Sequence, residues 1–252
     1  MSHHLLEFKD VRFRYPDGTE ALKGVSFLIT HGESVGIVGA NGAGKSTMFN
    51  LLTGFTPATS GKILYRDVDI TGSPAYERVK MGFSRSFQTP KIFPELTVRQ
   101  NVFLAVQAYH SKPFDLNVFK FRDLDLPGKT EELLATFDFT RLADQIAGSL
   151  SHGDQRVLEI CMAMALEPEV LLLDEPTSGM SENETQKTID LLMRIYGEAP
   201  LMMVIIEHDM RIVKRISHRI TVMHQGALLA EGTYEEIEGN EMVRKAYFGE
   251  AR

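Results

Sequence analysis

The amino-acid sequence predicts an α/β fold with a parallel β-sheet core, an antiparallel β-subdomain and a helical insert. From Gln155 to His224, short apolar strands alternate with helical segments, which is typical of parallel βαβ units. Over Leu6–Tyr15, apolar residues recur every two or three positions ahead of the turn signal Pro16–Gly18, which indicates antiparallel strands. Between these regions, Leu96–Leu150 contains helical patterns and so predicts the insert.

The middle of the chain does not read as an independent domain. We predict one domain over 1–252, with a helical subdomain at approximately 90–160 inserted in the core. Helices are predicted at Val98–Tyr109 and Thr130–Phe137, and the stretch Lys112–Lys129 between them is predicted to be irregular. A further strand is predicted over Gly61–Ile70.

Composition excludes several classes of function. The 252 residues carry a formal net charge of −7, which gives no basic field for nucleic acid, so no nucleic-acid partner is expected. The longest apolar run, Leu201–Ile206, is far shorter than the about 20 residues that a membrane-spanning helix needs. Any link to a membrane is therefore expected to pass through a partner. The single cysteine, Cys161, lies in an apolar stretch and is expected to be a buried thiol in a reducing compartment.

A phosphate-binding loop is predicted at 39–47, where the sequence matches G-x-x-x-x-G-K-[ST] after the buried strand Ser34–Val38 and before a helix. Backbone N–H groups and the helix N-terminus favour phosphate oxygens. Lys45 can reach the β- and γ-phosphates, and the Ser46 hydroxyl can bind Mg²⁺. A loop that only turned the chain would not need this Lys-Ser pair. The predicted loop residues are Gly39, Asn41, Gly42, Ala43, Gly44, Lys45, Ser46 and Thr47.

Two carboxylates supply the second half of the predicted site. The continuous apolar strand Val170–Leu173 ends in Asp174 and Glu175. Asp174 could hold Mg²⁺ through water, and Glu175 could polarise an attacking water as a general base. Alone, the pair could equally be an acidic helix cap. Together with the loop it predicts a P-loop nucleotide hydrolase, with kinases, GTPases and ATPases all open.

The segment Leu150–Arg156 narrows the class. It reads Leu-Ser-His-Gly-Asp-Gln-Arg just before a helix, and it resembles the LSGGQ signature of ABC ATPases. His152 and Asp154 depart from that motif at positions which vary in the family. The resemblance covers essentially the whole chain and implies a P-loop (RecA-like) ABC ATPase core. It also implies that Ser151 and Gly153 close over the γ-phosphate of an ATP held by a second subunit.

The same resemblance implies roles for three further positions. Gln88 matches the Q-loop glutamine, which senses Mg²⁺ or the attacking water, and His208 matches the switch histidine at the γ-phosphate. Tyr15 matches the aromatic residue that stacks on adenine, with Phe13 as an alternative. Ser181 stands where the D-loop commonly ends in Asp, so no strong polar role is expected there. Taken one by one, these residues could be a loop glutamine, a surface histidine and a strand aromatic.

Finer details resemble the ATPase subunits of branched-chain amino acid importers, in the segments Phe87–Val98, Gly179–Met180 and Ala246–Glu250. Urea and short-chain amide importers and some lipopolysaccharide exporters share much of this pattern. An ABC ATPase outside transport is a further alternative, although such proteins usually carry a long coiled coil or a second cassette. The resemblance implies ATP and Mg²⁺ as ligands, a second ATPase subunit (homo- or heterodimer), integral membrane permease subunits and a solute-binding protein. It also implies a cytoplasmic position, peripheral on the inner face of the membrane.

Overall fold

The computed structural model describes residues 4–87, 89–110, 125–198 and 201–248. The chain forms two compact units. The first consists of Met1–Arg85, Glu169–Pro176 and Leu192–Arg252, and the second of Ser86–Pro168 and Thr177–Leu191.

The first unit contains two β-sheets and the helices that cover them. Its strands are β1 (His4–Arg14), β2 (Glu20–Thr30), β3 (Ser34–Gly39), β4 (Ser60–Tyr65), β5 (Val68–Asp69), β6 (Phe83–Arg85), β7 (Val170–Asp174), β8 (Met202–Ile206), β9 (Arg219–His224) and β10 (Ala227–Gly232). Its helices are α1 (Lys45–Leu52), α2 (Ala75–Lys80), α7 (Met210–Ile216), α8 (Tyr234–Gly239) and α9 (Glu241–Phe248).

The antiparallel sheet has the strand order β2-β1-β4-β5. In β1, Leu6, Phe8, Val11 and Phe13 are buried, as the apolar spacing predicts. The single strand predicted over Gly61–Ile70 is wrong, because the chain turns back between β4 and β5. Arg66 and Asp67 form this turn with φ values of 50° and 63°, the pair of left-handed residues that a two-residue hairpin requires.

The second sheet has the order β10-β9-β3-β8-β7-β6, and all neighbours are parallel except β10 and β9. Every residue of β3, β7 and β8 is buried. Strands covered on both faces read as continuous apolar runs, which is why the sequence predicts them well. The α/β fold with an antiparallel subdomain is thus confirmed.

The second unit is mainly helical. It contains α3 (Val98–His110), α4 (Leu126–Thr136), α5 (His152–Met164) and the first part of α6 (Glu182–Glu198). The irregular stretch predicted over Lys112–Lys129 is wrong at its end, because α4 begins at Leu126. Asp125 caps this helix by accepting a hydrogen bond from the Gly128 N–H at 2.9 Å. Residues 112–124 lie outside the described residues.

The structure also describes the length and apolar character of the helices and the surroundings of Cys161. Across the described ranges, no helix combines the length and apolar character needed to cross a bilayer. Cys161 is fully buried in α5, and burial raises the pKa of its thiol. A thiol in such surroundings is an inert core residue.

Arg78 on α2 is a buried cation that the sequence pattern does not reveal, with only 1% of its surface exposed. Its guanidinium donates to backbone oxygens of Leu51 at 2.6 Å, Leu52 at 2.5 Å and Ile70 at 2.7 Å. Burial lowers the pKa of Arg78 to about 10. The first two acceptors are the last carbonyls of α1, where a cation satisfies orphan acceptors and complements the helix dipole.

We expect Arg78→Met to lower the free energy of unfolding by about 3 kcal/mol, because it leaves several buried carbonyls without their donor. Urea denaturation followed by circular dichroism measures this change. Lys80→Met on the same helix, where the side chain is exposed, is the control and should stay within about 0.5 kcal/mol of the parent. Equal stability of the two variants would contradict a structural role for the Arg78 contacts.

Candidate active site

The carboxyl ends of parallel strands bring the predicted catalytic residues of the first unit together. β3 lies between β8 and β9, and β7 lies beside β8. Asp174 at the end of β7 is paired with Ile206 at the end of β8. Ligands of open α/β sheets bind at this edge. The loop after β3, the two carboxylates after β7 and His208 after β8 therefore meet there.

The predicted phosphate-binding loop connects β3 to α1. Gly42 and Gly44 have φ values of 79° and 101°, a region that other residues rarely adopt. A Cβ atom on Gly44 would lie 2.6 Å from the Ala21 carbonyl oxygen, whereas one on Gly42 would meet nothing within 4 Å. The helix begins at Lys45, immediately after Gly44. Its first N–H groups thus face the loop, which is the arrangement that binds anions.

Lys45 lies inside this loop with only 6% of its surface exposed. Its ammonium donates to the Gly39 carbonyl at 2.6 Å and to the Ala40 carbonyl at 3.2 Å. Burial lowers the pKa of Lys45, and the charges of Glu175 and Asp174 oppose that shift. A desolvated cation beside the loop can stabilise phosphate charge more strongly than an exposed one.

The two aromatic candidates for stacking on adenine differ in exposure. Tyr15 is 41% exposed, whereas Phe13 is 8% exposed and belongs to the core. The two rings meet edge to face at 4.8 Å. The Tyr15 hydroxyl lies 3.0 Å from Thr47 Oγ1 on α1. Tyr15 can therefore present its ring beside the loop, and the geometry favours it over Phe13.

Glu175 and His208 form a direct pair, with Oε1 and Nε2 2.7 Å apart. The backbone of Glu175 has a φ of 51°, a left-handed conformation that costs about 1–2 kcal/mol for a residue with a side chain. A hydrogen bond from the Glu175 N–H to the Ile206 carbonyl, at 2.9 Å, holds the backbone there. Strain of this kind is typical of functional sites.

The donor set fits a metal that arrives with phosphates. Within the described part of the chain, no group of three or more His, Cys, Asp or Glu side chains could hold a metal ion. Mg²⁺ usually takes one or two protein oxygens and completes its shell with phosphates and water. Ser46 on α1 and Asp174 offer such oxygens. Gln88, the third predicted metal ligand, lies outside the described residues.

Ser151 and Gly153 belong to the second unit, at the start of α5. Ser151 caps the helix by accepting a hydrogen bond from the Asp154 N–H at 3.1 Å. Its hydroxyl donates to Asp154 Oδ2 at 2.9 Å and to Glu184 Oε1 at 3.3 Å. A Cβ atom on Gly153 would lie 2.8 Å from the same Glu184 oxygen, so glycine permits this close approach.

Ser181, for which no strong polar role in the D-loop is expected, takes part in a local helix cap. Ser181 precedes α6. Its N–H and its hydroxyl donate hydrogen bonds to Glu184 Oε2, at 2.9 Å and 2.7 Å. This is the geometry of a helix cap. The hydrogen bonds to Ser181 lower the pKa of Glu184. Glu184 therefore contacts both Ser151 and Ser181.

Sequence reasoning missed Glu184, and it also missed the buried pair of Arg156 and Glu159 on α5. Arg156 Nη1 lies 2.8 Å from Glu159 Oε2. Glu159 Oε1 accepts hydrogen bonds from the backbone N–H groups of Phe87 at 3.0 Å and Lys91 at 3.1 Å, on either side of position 88. The one available signal is the i, i+3 spacing of opposite charges, which on most helices marks an exposed pair.

The chain is similar to known proteins over its whole length. The ABC transporter family model matches residues 22–178. Over 256 aligned residues, which cover 100% of both chains, the sequence is 37% identical to the high-affinity branched-chain amino acid transport ATP-binding protein BraF of Pseudomonas aeruginosa.

Solved structures show the same fold. An ATP-binding cassette of an ABC transporter in its ADP conformation is 27% identical, with a TM-score of 0.83 over 99% of this chain and 100% of that one. A dimeric ATP-binding cassette bound to ADP and Pi in a post-hydrolysis state is 26% identical, with a TM-score of 0.77 over 91% of this chain and 99% of that one.

We expect Gly44→Ala to destabilise the protein by about 3 kcal/mol or more, because the new methyl group combines an unfavourable φ with a backbone clash. Gly42→Ala is the matched control, since it has a positive φ but open space, and should cost about 1 kcal/mol. Thermal and urea unfolding of both variants measure the difference. Equal losses would show that the approach to Ala21 is unimportant.

Proposed function

This chain belongs to the ABC transporter family, and we propose that it hydrolyses Mg-ATP to power the uptake of branched-chain amino acids. ATPase activity is a general property of this family. Which residues of this chain carry it out is our proposal. The observation that carries this assignment is the Glu175–His208 pair, at 2.7 Å, on the sheet edge that also carries the loop around Lys45.

Glu175 is the proposed general base. Its carboxylate follows β7, and the Lys45 ammonium is close enough for their charges to interact. A carboxylate so placed can accept a proton from a water that attacks the γ-phosphate. His208 holds Glu175 Oε1 and can itself donate a hydrogen bond towards the phosphate.

The loop residues bind the triphosphate in this proposal. The backbone N–H groups of Gly39, Asn41, Gly42, Ala43 and Gly44 and the start of α1 supply donors, and Lys45 supplies a positive charge. Thr47 adds a hydroxyl beside Tyr15. Tyr15 offers its exposed ring to adenine, and such a contact gives affinity with little geometric demand.

Ser46 and Asp174 would hold Mg²⁺, together with Gln88. The ion would neutralise phosphate charge when bound. The protein contribution is to hold a hydroxyl and a carboxylate at the ends of neighbouring elements, α1 and β7. The described ranges contain no cluster of three such side chains that could hold a metal ion. The nucleotide would therefore provide the remaining ligands of the ion.

The second subunit completes the site. Ser151 and Gly153 at the N-terminus of α5 form an anion-binding cap, and we propose that they contact the γ-phosphate of an ATP held by the other subunit. The dimeric, product-bound cassette among the similar structures supports such an assembly. Bound ATP would favour the closed dimer and its hydrolysis would release it, which makes a ligand-biased two-state switch.

Transport requires further partners. We propose integral membrane permease subunits, contacted through the Gln88 region and the helical subdomain at about 90–160, and a solute-binding protein that delivers cargo. This arrangement would place the chain on the cytoplasmic face of the membrane. The full-length similarity to BraF, a branched-chain amino acid transport protein, supports the cargo class. A urea or amide importer or a lipopolysaccharide exporter is the runner-up, since the ATPase subunit does not contact cargo.

We expect Glu175→Gln to bind Mg-ATP, to form a stable dimer and to lose at least about a hundredfold in turnover, because the amide cannot accept the proton from water. Light scattering with ATP and phosphate release measure the two effects. Glu241→Gln, which neutralises an exposed carboxylate on α9, is the control and should resemble the parent. Hydrolysis at the parental rate would contradict the assignment of the base, and a monomer at saturating Mg-ATP would contradict the shared site.

We expect branched-chain amino acids to stimulate ATP hydrolysis after reconstitution with candidate permeases and binding proteins in proteoliposomes. Since cargo reaches the ATPase only through its partners, stimulation should require the loaded binding protein. Phosphate release is measured with leucine, isoleucine, valine, urea, short-chain amides and, without a binding protein, lipopolysaccharide. Stimulation by urea or an amide instead would replace the proposed cargo by the runner-up.

A further inference from the structure

Arg85 lies at the end of β6, beside the strand that carries Asp174, and only 9% of its side chain is exposed. Neither the predicted motifs nor the roles proposed above use this residue. It belongs to the first unit together with α1 and β7. A buried guanidinium needs hydrogen-bond acceptors that offset the cost of removing its charge from water.

The Arg85 guanidinium bridges two parts of the proposed site. Its Nη2 donates to Asp174 Oδ2 at 2.8 Å, and its Nη1 donates to Asn50 Oδ1 at 2.8 Å. Nη1 also lies 3.4 Å from Thr53 Oγ1, and the group sits 5.5 Å from the centroid of the Phe49 ring. One planar side chain therefore connects the end of β7 to the middle of α1.

The bridge connects the two protein groups that are proposed to hold the metal ion. Asn50 lies four residues after Ser46, so both project from the same face of α1. A hydrogen bond to one oxygen of Asp174 fixes the plane of the carboxylate and the direction of its other oxygen. Arg85 thus links Asp174 to the helix that carries Ser46.

We propose that Arg85 is a positioning residue, which holds the Asp174 carboxylate at a fixed place relative to α1 so that Asp174 and Ser46 can bind one divalent cation. This inference rests on the proposed function. Neighbouring groups that orient metal ligands commonly change metal affinity by about 10–100-fold when removed.

A purely electrostatic role and a positioning role of Arg85 predict opposite changes in metal affinity for Arg85→Gln. A positive charge beside a metal ligand repels a cation, so a purely electrostatic Arg85 would weaken metal binding, and Arg85→Gln would tighten it. If the bridge is what matters, Arg85→Gln should weaken metal binding. Arg85→Lys keeps the charge but lacks the two-armed planar fork, so it should weaken binding as well.

The test measures Mn²⁺ binding by electron paramagnetic resonance, with saturating ATP and in the Glu175→Gln background, which prevents turnover. We expect Arg85→Gln and Arg85→Lys each to raise the apparent Kd for Mn²⁺ about tenfold. Asn50→Ala removes one arm of the bridge and leaves both charges, and we expect it to raise the Kd about threefold. Arg244→Gln, at an exposed position on α9, is the charge control and should leave the Kd unchanged.

Two further measurements separate positioning from folding. Urea denaturation establishes that each variant is folded, and fluorescent ATP binding in EDTA should be equal in all variants because the bridge acts through the metal. A Kd that falls in Arg85→Gln, or one unchanged in both Arg85→Lys and Asn50→Ala, overturns the inference while the proposed function stands. If the parent protein hydrolyses ATP without any dependence on a divalent cation, both proposals fail.

Discussion

The shared edge of the parallel sheet is the constraint on which the rest of this structure depends. The order β9-β3-β8-β7-β6 brings residues far apart in the sequence to one line of strand ends. Because the strands are parallel, every carboxyl end lies on the same side. The loop around Lys45, the Asp174–Glu175 pair and His208 all follow strands of this sheet. Hydrogen bonding between these strands therefore positions the residues of the proposed site.

Buried cations stabilise the helix that follows the phosphate loop. Arg78 donates to the carbonyls at the end of α1, and Arg85 contacts Asn50 near its middle. Lys45, at the start of the helix, is the third of these cations with low exposure. Each is held by several oxygen atoms, which offset the free-energy cost of removing a cation from water. These contacts anchor a short helix of eight residues, which carries Ser46 and Thr47.

Carboxylates organise the second unit in a comparable way. Glu184 accepts hydrogen bonds from both Ser151 and Ser181, so the starts of α5 and α6 share one side chain. Glu159 connects α5 to the backbone on either side of position 88. The proposed γ-phosphate cap and the backbone that flanks Gln88 are therefore both hydrogen bonded to the same helix.

The sequence by itself determined the class of fold and the family, and it predicted the phosphate-binding loop and the carboxylate pair. Each of these depends on local patterns: glycine spacing, continuous apolar strands and capping residues. It missed the turn between β4 and β5 and placed the start of α4 too late. In both places, short-range turn and cap chemistry overrides periodicity. Only the tertiary structure decided that Phe13 is buried and Tyr15 exposed, and that Arg85, Glu159 and Glu184 join separate elements. Long-range hydrogen bonds between polar side chains leave no periodic trace along the chain, since their partners are set by how strands and helices pack.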